Sequence, residues 1–225
     1  TGDSKVAAVA FHIPAGTAPG FAAVDVLGEI LAGTPSGRLY KALVLPKIAT
    51  SVGGGAYQLR DPGLMLFSAS ARKDADLDKV QKILLDTVSS FTKNPPTEEE
   101  VNRAKGALLK SAESTLRDSR RLALQISEWE AMGDWRMFFL YKQRVAAVTP
   151  ADVAKAAEAY LKVSNRTVGT FLPEEAPSRS EIAQVKNEDL AAALADLKLD
   201  KDVVAGEEFD ATPSNIKART TYSEL

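Results

Sequence analysis

Residues 48–59 and 64–72 are two extended, apolar-rich stretches separated by Asp61-Pro62-Gly63. Proline presets one turn dihedral and glycine tolerates the next, so this tripeptide folds the chain back on itself and pairs the stretches as an antiparallel hairpin. A hairpin of this kind carries one apolar face, which other elements must cover. Its first arm holds Gly53, Gly54 and Gly55 in succession. Glycine weakens a strand and usually marks a bulge or the close approach of another backbone.

The remaining segments supply the cover. KVAAVAFHI (5–13) alternates as a strand and is stopped by Pro14 and Gly16. Pro19 opens an amphipathic helix with Phe21, Val24, Leu27 and Leu31 on one face and Gly33 closing it. A short second helix from Ser36 sets Leu39 and Leu43 a turn apart. Pro46 ends it, because proline has no amide hydrogen and its ring clashes with the preceding turn. Asp74 or Asp76 caps a helix carrying Leu77, Val80, Leu84, Val88 and Phe91, which Asn94-Pro95-Pro96 breaks.

Thr97 and Glu100 have the spacing of a capping box. The stripe Val101, Ala104, Leu108, Thr115, Leu122, Ile126 and Trp129 predicts one long helix from there to Gly133. An aromatic segment, 135–141, follows. Thr149-Pro150 with Asp152 starts a last helix bearing Val153, Ala156 and Tyr160, and 166–172 is a final strand. The order β-α-α-β-β-α-α-α-β predicts an α+β, two-layer fold: a mostly antiparallel sheet covered on one side by helices.

Charge divides the chain near Pro173. Residues 1–172 hold 22 Lys+Arg against 18 Asp+Glu, a net of +4, whereas 173–225 hold 6 against 12, a net of −6. The second part contains Pro177, Pro213 and one weak amphipathic stretch at 182–197. It reads as an acidic connector with a short helix, and 1–172 as one self-contained domain.

Several function classes drop out. No apolar run approaches the roughly 18 residues of a membrane span, and 1–20 lacks the basic start and apolar core of a leader peptide. A net charge of −2 argues against a nucleic-acid partner. With no cysteine there is no disulfide or thiol chemistry, and with His12 as the single histidine there is no H-E-x-x-H helix and no zinc-binding set. His12 reads as a sheet-face residue, opposite in direction to Val9, Phe11 and Ile13.

The other candidate motifs are weak. A phosphate loop needs glycines between strand and helix followed by Lys-Ser or Lys-Thr, and the glycines here follow a helix. Ser51 has no base placed near it by the sequence. Asn165-Arg166-Thr167 matches a glycosylation pattern short enough to arise by chance. Arg117, Arg120 and Arg121 read as a solvated face, and Trp129 and Trp135 as core anchors. For the three glycines a bulge is the leading reading, a smooth wall against which a peptide slides comes second, and a chemical site last.

Taken in order, HIPAG, LAGTPSGRLYKALV, IATSV, RDPGL, PTEEEVNRAKGALL, WEAMGDWR, VTPADVAKAAEAYL and NRTVGTFLP resemble one repeat of the M16 (pitrilysin/insulinase) metallopeptidases over residues 1–172. The likeness is to the non-catalytic "peptidase M16 inactive domain" of candidate zinc proteases of bacteria. The tail AGEEFDATPSNIKARTTYSEL resembles the connector between two halves of such proteins.

The resemblance implies an M16 peptidase-like (LuxS/metallohydrolase-like) fold in which paired repeats enclose a peptide chamber. It implies that zinc sits on another repeat with an H-x-x-E-H motif, and that this segment carries no metal and no catalytic residue. The parent would then be a zinc metalloendopeptidase, in which Thr50, Gly53, Gly54 and Gly55 form part of the chamber wall. The Arg and Tyr with which some M16 repeats contact substrate are replaced here by Val44 and Thr50. The implied partners are other M16 repeats, in the same chain or a partner subunit, and a peptide substrate; the implied compartment is periplasmic or secreted. The same repeats also build proteolytically inactive scaffold subunits, and the two alternatives stay open on the residues alone.

Overall fold

The computed structural model describes residues 4–178, 180–197, 210 and 212–221. Four antiparallel strands make one sheet: β1 (Ser4–Ile13), β2 (Ser51–Ala56), β3 (Gly63–Arg72) and β4 (Arg166–Phe171), in the order β2-β3-β1-β4. The hairpin expected around Asp61-Pro62-Gly63 is β2–β3, and the sheet is the antiparallel layer expected from the sequence.

Alternation decides which face is covered. Ala7, Val9, Phe11 and Ile13 of β1, with Met65, Phe67, Ala69 and Ala71 of β3, are at most 3% exposed. Helices lie over them. The first, α1 (Phe21–Ala32), is buried at ten of twelve positions, and only Asp25 and Glu29 break its apolar surface. A helix apolar all round belongs inside, and α1 sits between the sheet and an outer layer. That layer includes α3 (Glu98–Leu116), α4 (Ser119–Met132), α5 (Met137–Ala147) and α6 (Pro150–Tyr160), while α2 (Leu77–Ser89) packs directly on β1 and β3. Burying each large apolar side chain contributes about 1.5–3 kcal/mol.

The caps lie where the sequence puts them. Asp76 accepts the Lys79 amide at 3.1 Å, and Thr97 with Glu100 and Thr149 with Asp152 close reciprocal capping boxes. The short helix after Ser36 winds at Tyr40–Val44 as a π-helical turn, with Leu39 and Leu43 fully buried.

Three expectations need correction. The long helix from Thr97 to Gly133 is two helices, because Asp118 turns extended (φ −120°, ψ 106°) and accepts the amides of Arg120 and Arg121. A fresh cap of this kind competes with helix continuation. Trp129 is an anchor at 1% exposed, but Trp135 is 44% exposed, edge-on to Phe139 with ring centroids 6.0 Å apart. Among the described residues the tail carries two short helices rather than one, α7 (Asn187–Leu194) and α8 (Pro213–Arg219), neither with a buried residue. By its internal contacts the chain divides into Thr1–Pro177 and Ser178–Leu225.

Candidate functional site: the open face of the sheet

Helices cover one face of the sheet, and the strand registers specify what the other face presents. Gly53 pairs with Ser68, Ser68 with Ala8, and Ala8 with Gly169, so one row across all four strands has no side chain larger than serine. With strands roughly 4.8 Å apart, that row is about 14 Å long. The next row is Gly55, Leu66, Ala10 and Thr167, and the one before it is Ser51, Ser70, Val6 and Phe171. A methyl group added at Gly53, Gly55 or Gly169 would meet nothing within 4 Å. The face is a shallow neutral trough, open at the glycines, with exposed Phe171 and Leu64 beyond it.

The glycines do three different jobs. Gly53 has ordinary backbone geometry and simply leaves space. Gly54 (φ 141°) and Gly55 (φ 154°) occupy a region that side chains disfavour, and a Cβ on Gly54 would run into the Leu66 carbonyl oxygen. From the helix side, α1 comes down on the same strand at Gly28, where an added Cβ would lie 3.4 Å from Gly55 Cα. The strand glycines do not make room for that helix, since a Cβ at Gly55 would meet nothing within 4 Å and one at Gly54 would meet β3.

The leading sequence reading, a bulge at the glycines, is not what the ladder shows. Pairing is residue for residue from Ser51 opposite Ser70 to Ala56 opposite Met65. The irregularity lies one step earlier: the Thr50 amide and hydroxyl both donate to Ser70 O, at 2.8 and 2.9 Å, so Thr50 and Ser51 face a single partner residue. The Thr50 hydroxyl is thereby committed to the backbone.

β2 is also an edge strand. Tyr57 donates its amide to Leu64 O at 2.8 Å, which makes Tyr57 and Leu64 a hydrogen-bonded pair. Counting back in twos, Gly55, Gly53 and Ser51 point their backbone groups at β3, and Val52, Gly54 and Ala56 point theirs away from the sheet.

Among the described residues no catalytic set assembles on this face. His12, opposite Leu64, is exposed, and Ser51 has no base bonded to it among the described residues. Asn165, in the glycosylation-like triplet, is occupied structurally: its side-chain amide donates to His12 O and Tyr160 O at 2.9 and 2.8 Å.

A cluster of groups perturbed by burial lies in the helical layer, and the sequence reading missed it. Asp25 accepts a short hydrogen bond from the Tyr141 hydroxyl. Burial raises the Asp25 carboxyl above its ordinary value against the lowering effect of that bond, and burial together with the Asp25 charge raises Glu29. The Tyr141 phenol is pushed up by burial and by Asp25. The available signal was two carboxylates at i and i+4 inside an otherwise apolar helix. Among the described residues no group of three His, Cys, Asp or Glu could hold a metal ion, and one histidine without cysteine is not a donor set that fits zinc.

The family profile described as "Peptidase M16 inactive domain" matches residues 1–108. A candidate zinc protease of Bordetella pertussis Tohama I is 40% identical, with 76% of this chain and 96% of that one aligned at a TM-score of 0.71. The inactive peptidase domain of a candidate zinc protease from Bordetella parapertussis is 41% identical over 79% and 97%, at 0.73. The periplasmic protease PqqL from Escherichia coli shares the fold at 17% identity and 0.61, this chain spanning 20% of its length. No curated protein matches. With two relatives near 40% identity aligned over almost their whole length, and a four-stranded antiparallel sheet under a helical layer as in those domains, the chain belongs to the peptidase M16 inactive domain family.

Proposed function

We propose that this chain is the non-catalytic second repeat of an M16-type zinc endopeptidase, and that its open sheet face forms part of the wall of a peptide chamber. In this reading zinc and the catalytic base belong to another repeat carrying H-x-x-E-H. The observation that carries the proposal is the row Gly53, Ser68, Ala8 and Gly169. A wall of hydrogens and small hydroxyls lets an extended peptide lie close without selecting one side chain. The outward amides and carbonyls of Val52, Gly54 and Ala56 add a second way to hold such a peptide, by strand addition at a free edge.

The partners in this reading are other M16 repeats, in the same chain or a partner subunit, together with the peptide. A periplasmic or secreted setting is supported by the fold shared with a periplasmic protease. No helix among the described residues is long and apolar enough to cross a membrane.

The test uses the protein in which this repeat accompanies an H-x-x-E-H repeat. Gly53→Phe places a large ring over the trough where nothing stands within 4 Å. Hydrolysis of an extended peptide is expected to fall at least tenfold with zinc content and melting temperature unchanged. Unchanged hydrolysis overturns the chamber-wall role. A parent that binds its other repeats but neither holds zinc nor cleaves peptide would instead be a scaffold.

A further inference from the structure

The sheet has a second edge, β4, and the alternation of hydrogen bonds decides what it presents. Because the Tyr57 amide donates to Leu64 O, Leu64, Leu66 and Ser68 of β3 bond to β2. Met65, Phe67 and Ala69 then bond to Phe11, Val9 and Ala7 of β1, which leaves Val6, Ala8 and Ala10 to bond Phe171, Gly169 and Thr167 of β4. Arg166, Val168 and Thr170 are left with their amides and carbonyls directed away from the sheet. Among the described residues no backbone group bonds to them there. Native sheets blunt such an edge with lysine, proline or a bulge. Between Arg166 and Phe171 there is none of these, and β4 pairs with β1 residue for residue.

The flanks of this edge are complementary when the strand meets itself running the other way. With a two-fold axis at Val168, the two Val168 residues face each other and Arg166 faces Thr170, so no like charges oppose. All three outward residues then exchange bonds, about six in total, and a slip in either direction leaves fewer. The same axis carries the segment before one strand to the segment after the other. Lys162 there approaches Glu174, and Val163 approaches Leu172. Lys162 and Glu174 are both exposed, and it is the neighbouring Glu175 that pairs with Lys73. Val163, Phe171 and Leu172 are each more than half exposed. A parallel arrangement would instead set Lys162 against Lys162.

We propose that a second copy of this chain adds antiparallel to β4 about a two-fold axis at Val168, making one continuous eight-stranded sheet. A six-residue strand with its flanks buries less than the roughly 800 Å² per partner of a standard interface, so the dimer is a weak one. The inference is independent of the chamber reading: β4 is the edge opposite β2, and its test reads assembly rather than hydrolysis.

Sedimentation velocity of the full chain at low salt, from about 1 μM to about 0.5 mM, is expected to show reversible conversion of monomer to dimer toward the upper end. Thr170→Pro removes an outward amide that β1 does not use, at a position where edge strands accept proline. It should weaken the dimer about tenfold or more with far-UV circular dichroism unchanged. Lys162→Glu should weaken it about threefold, and combining it with Glu174→Lys should restore it. A chain that stays monomeric throughout, a folded Thr170→Pro that dimerises as before, or a charge exchange that restores nothing overturns the proposal. Should Thr170→Pro fail to fold, the charge exchange between two exposed positions decides alone.

Discussion

Arg38 grips Glu100 with both arms of its guanidinium: Nε and Nη2 donate to the two carboxylate oxygens at 2.8 and 2.7 Å. The same guanidinium lies 4.3 Å from the centroid of Phe91, and its Nη1 donates to Asn94 O at 2.7 Å. Glu100 also accepts the Thr97 amide in the capping box. One bidentate pair thus ties the segment before the π-helical turn to the start of α3.

That pair makes stability depend on acid. Arg38's hydrogen bonds hold the Glu100 carboxyl down to about 2. A depressed carboxylate stabilises the fold above its unfolded value, and that contribution disappears as pH falls through the folded value, here between about 4.3 and 2. Allowing for solvent screening of this partly exposed pair, the contribution is on the order of 1–2 kcal/mol. Urea midpoints should therefore fall more steeply below pH 4 in the unaltered chain than in Glu100→Gln. At pH 6, Arg38→Ala should cost about 3 kcal/mol by leaving a half-buried carboxylate unpaired. Parallel acid limbs in the two chains would refute this.

Asp25 has the opposite sign. A carboxyl whose pKa is raised by burial favours the fold below its unfolded value and loses that contribution as pH rises through the folded one. Glu29, raised partly by the Asp25 charge, adds to the effect, and the neutral Tyr141 phenol partly offsets it. Asp25→Asn keeps an acceptor for Tyr141 and removes the charge. Its melting temperature should exceed that of the unaltered chain at pH 8, and the gap should shrink toward pH 4. A gap independent of pH would mean that Asp25 is not the group responsible.

Substitution should separate the three glycines. Gly53→Ala fits into open space and should change stability by less than about 0.5 kcal/mol. Gly54→Ala meets both a disfavoured φ and the Leu66 carbonyl, and should cost about 3 kcal/mol. Gly28→Ala, in a helix interior with its Cβ at ordinary contact from Gly55, should stabilise by about 0.5–1 kcal/mol. Chemical denaturation of the three variants ranks them; equal effects at Gly53 and Gly54 would contradict the geometry.

The tail offers a cleavage test of the domain boundary. Ile182, Val185, Leu190 and Leu194 are at least 50% exposed, and α7 buries no residue. Limited proteolysis should cut first between 178 and 197 and release a folded fragment ending near Pro177, with a melting temperature within about 3 °C of the parent chain. An unfolded fragment would show that the tail completes the core.

The sequence by itself determined the elements whose causes are local. Alternation in KVAAVAFHI, the turn at Asp61-Pro62-Gly63 and the capping pairs Thr97–Glu100 and Thr149–Asp152 act over a few residues, so their signals survive without a tertiary context. The break at Asp118 was also local, but the apolar stripe running through it masked the cap. Only the tertiary structure decided what the glycines do, because the cause lies in other strands and in a helix. The small-residue row exists through pairing of Gly53 with Ser68, Ala8 and Gly169, residues up to 161 positions apart. Gly28 meets Gly55, Asp25 meets Tyr141 and Gln58 packs against Gly16 only once α1, α5 and the loops are packed. Such contacts depend on register and helix placement, which spacing along one chain does not encode.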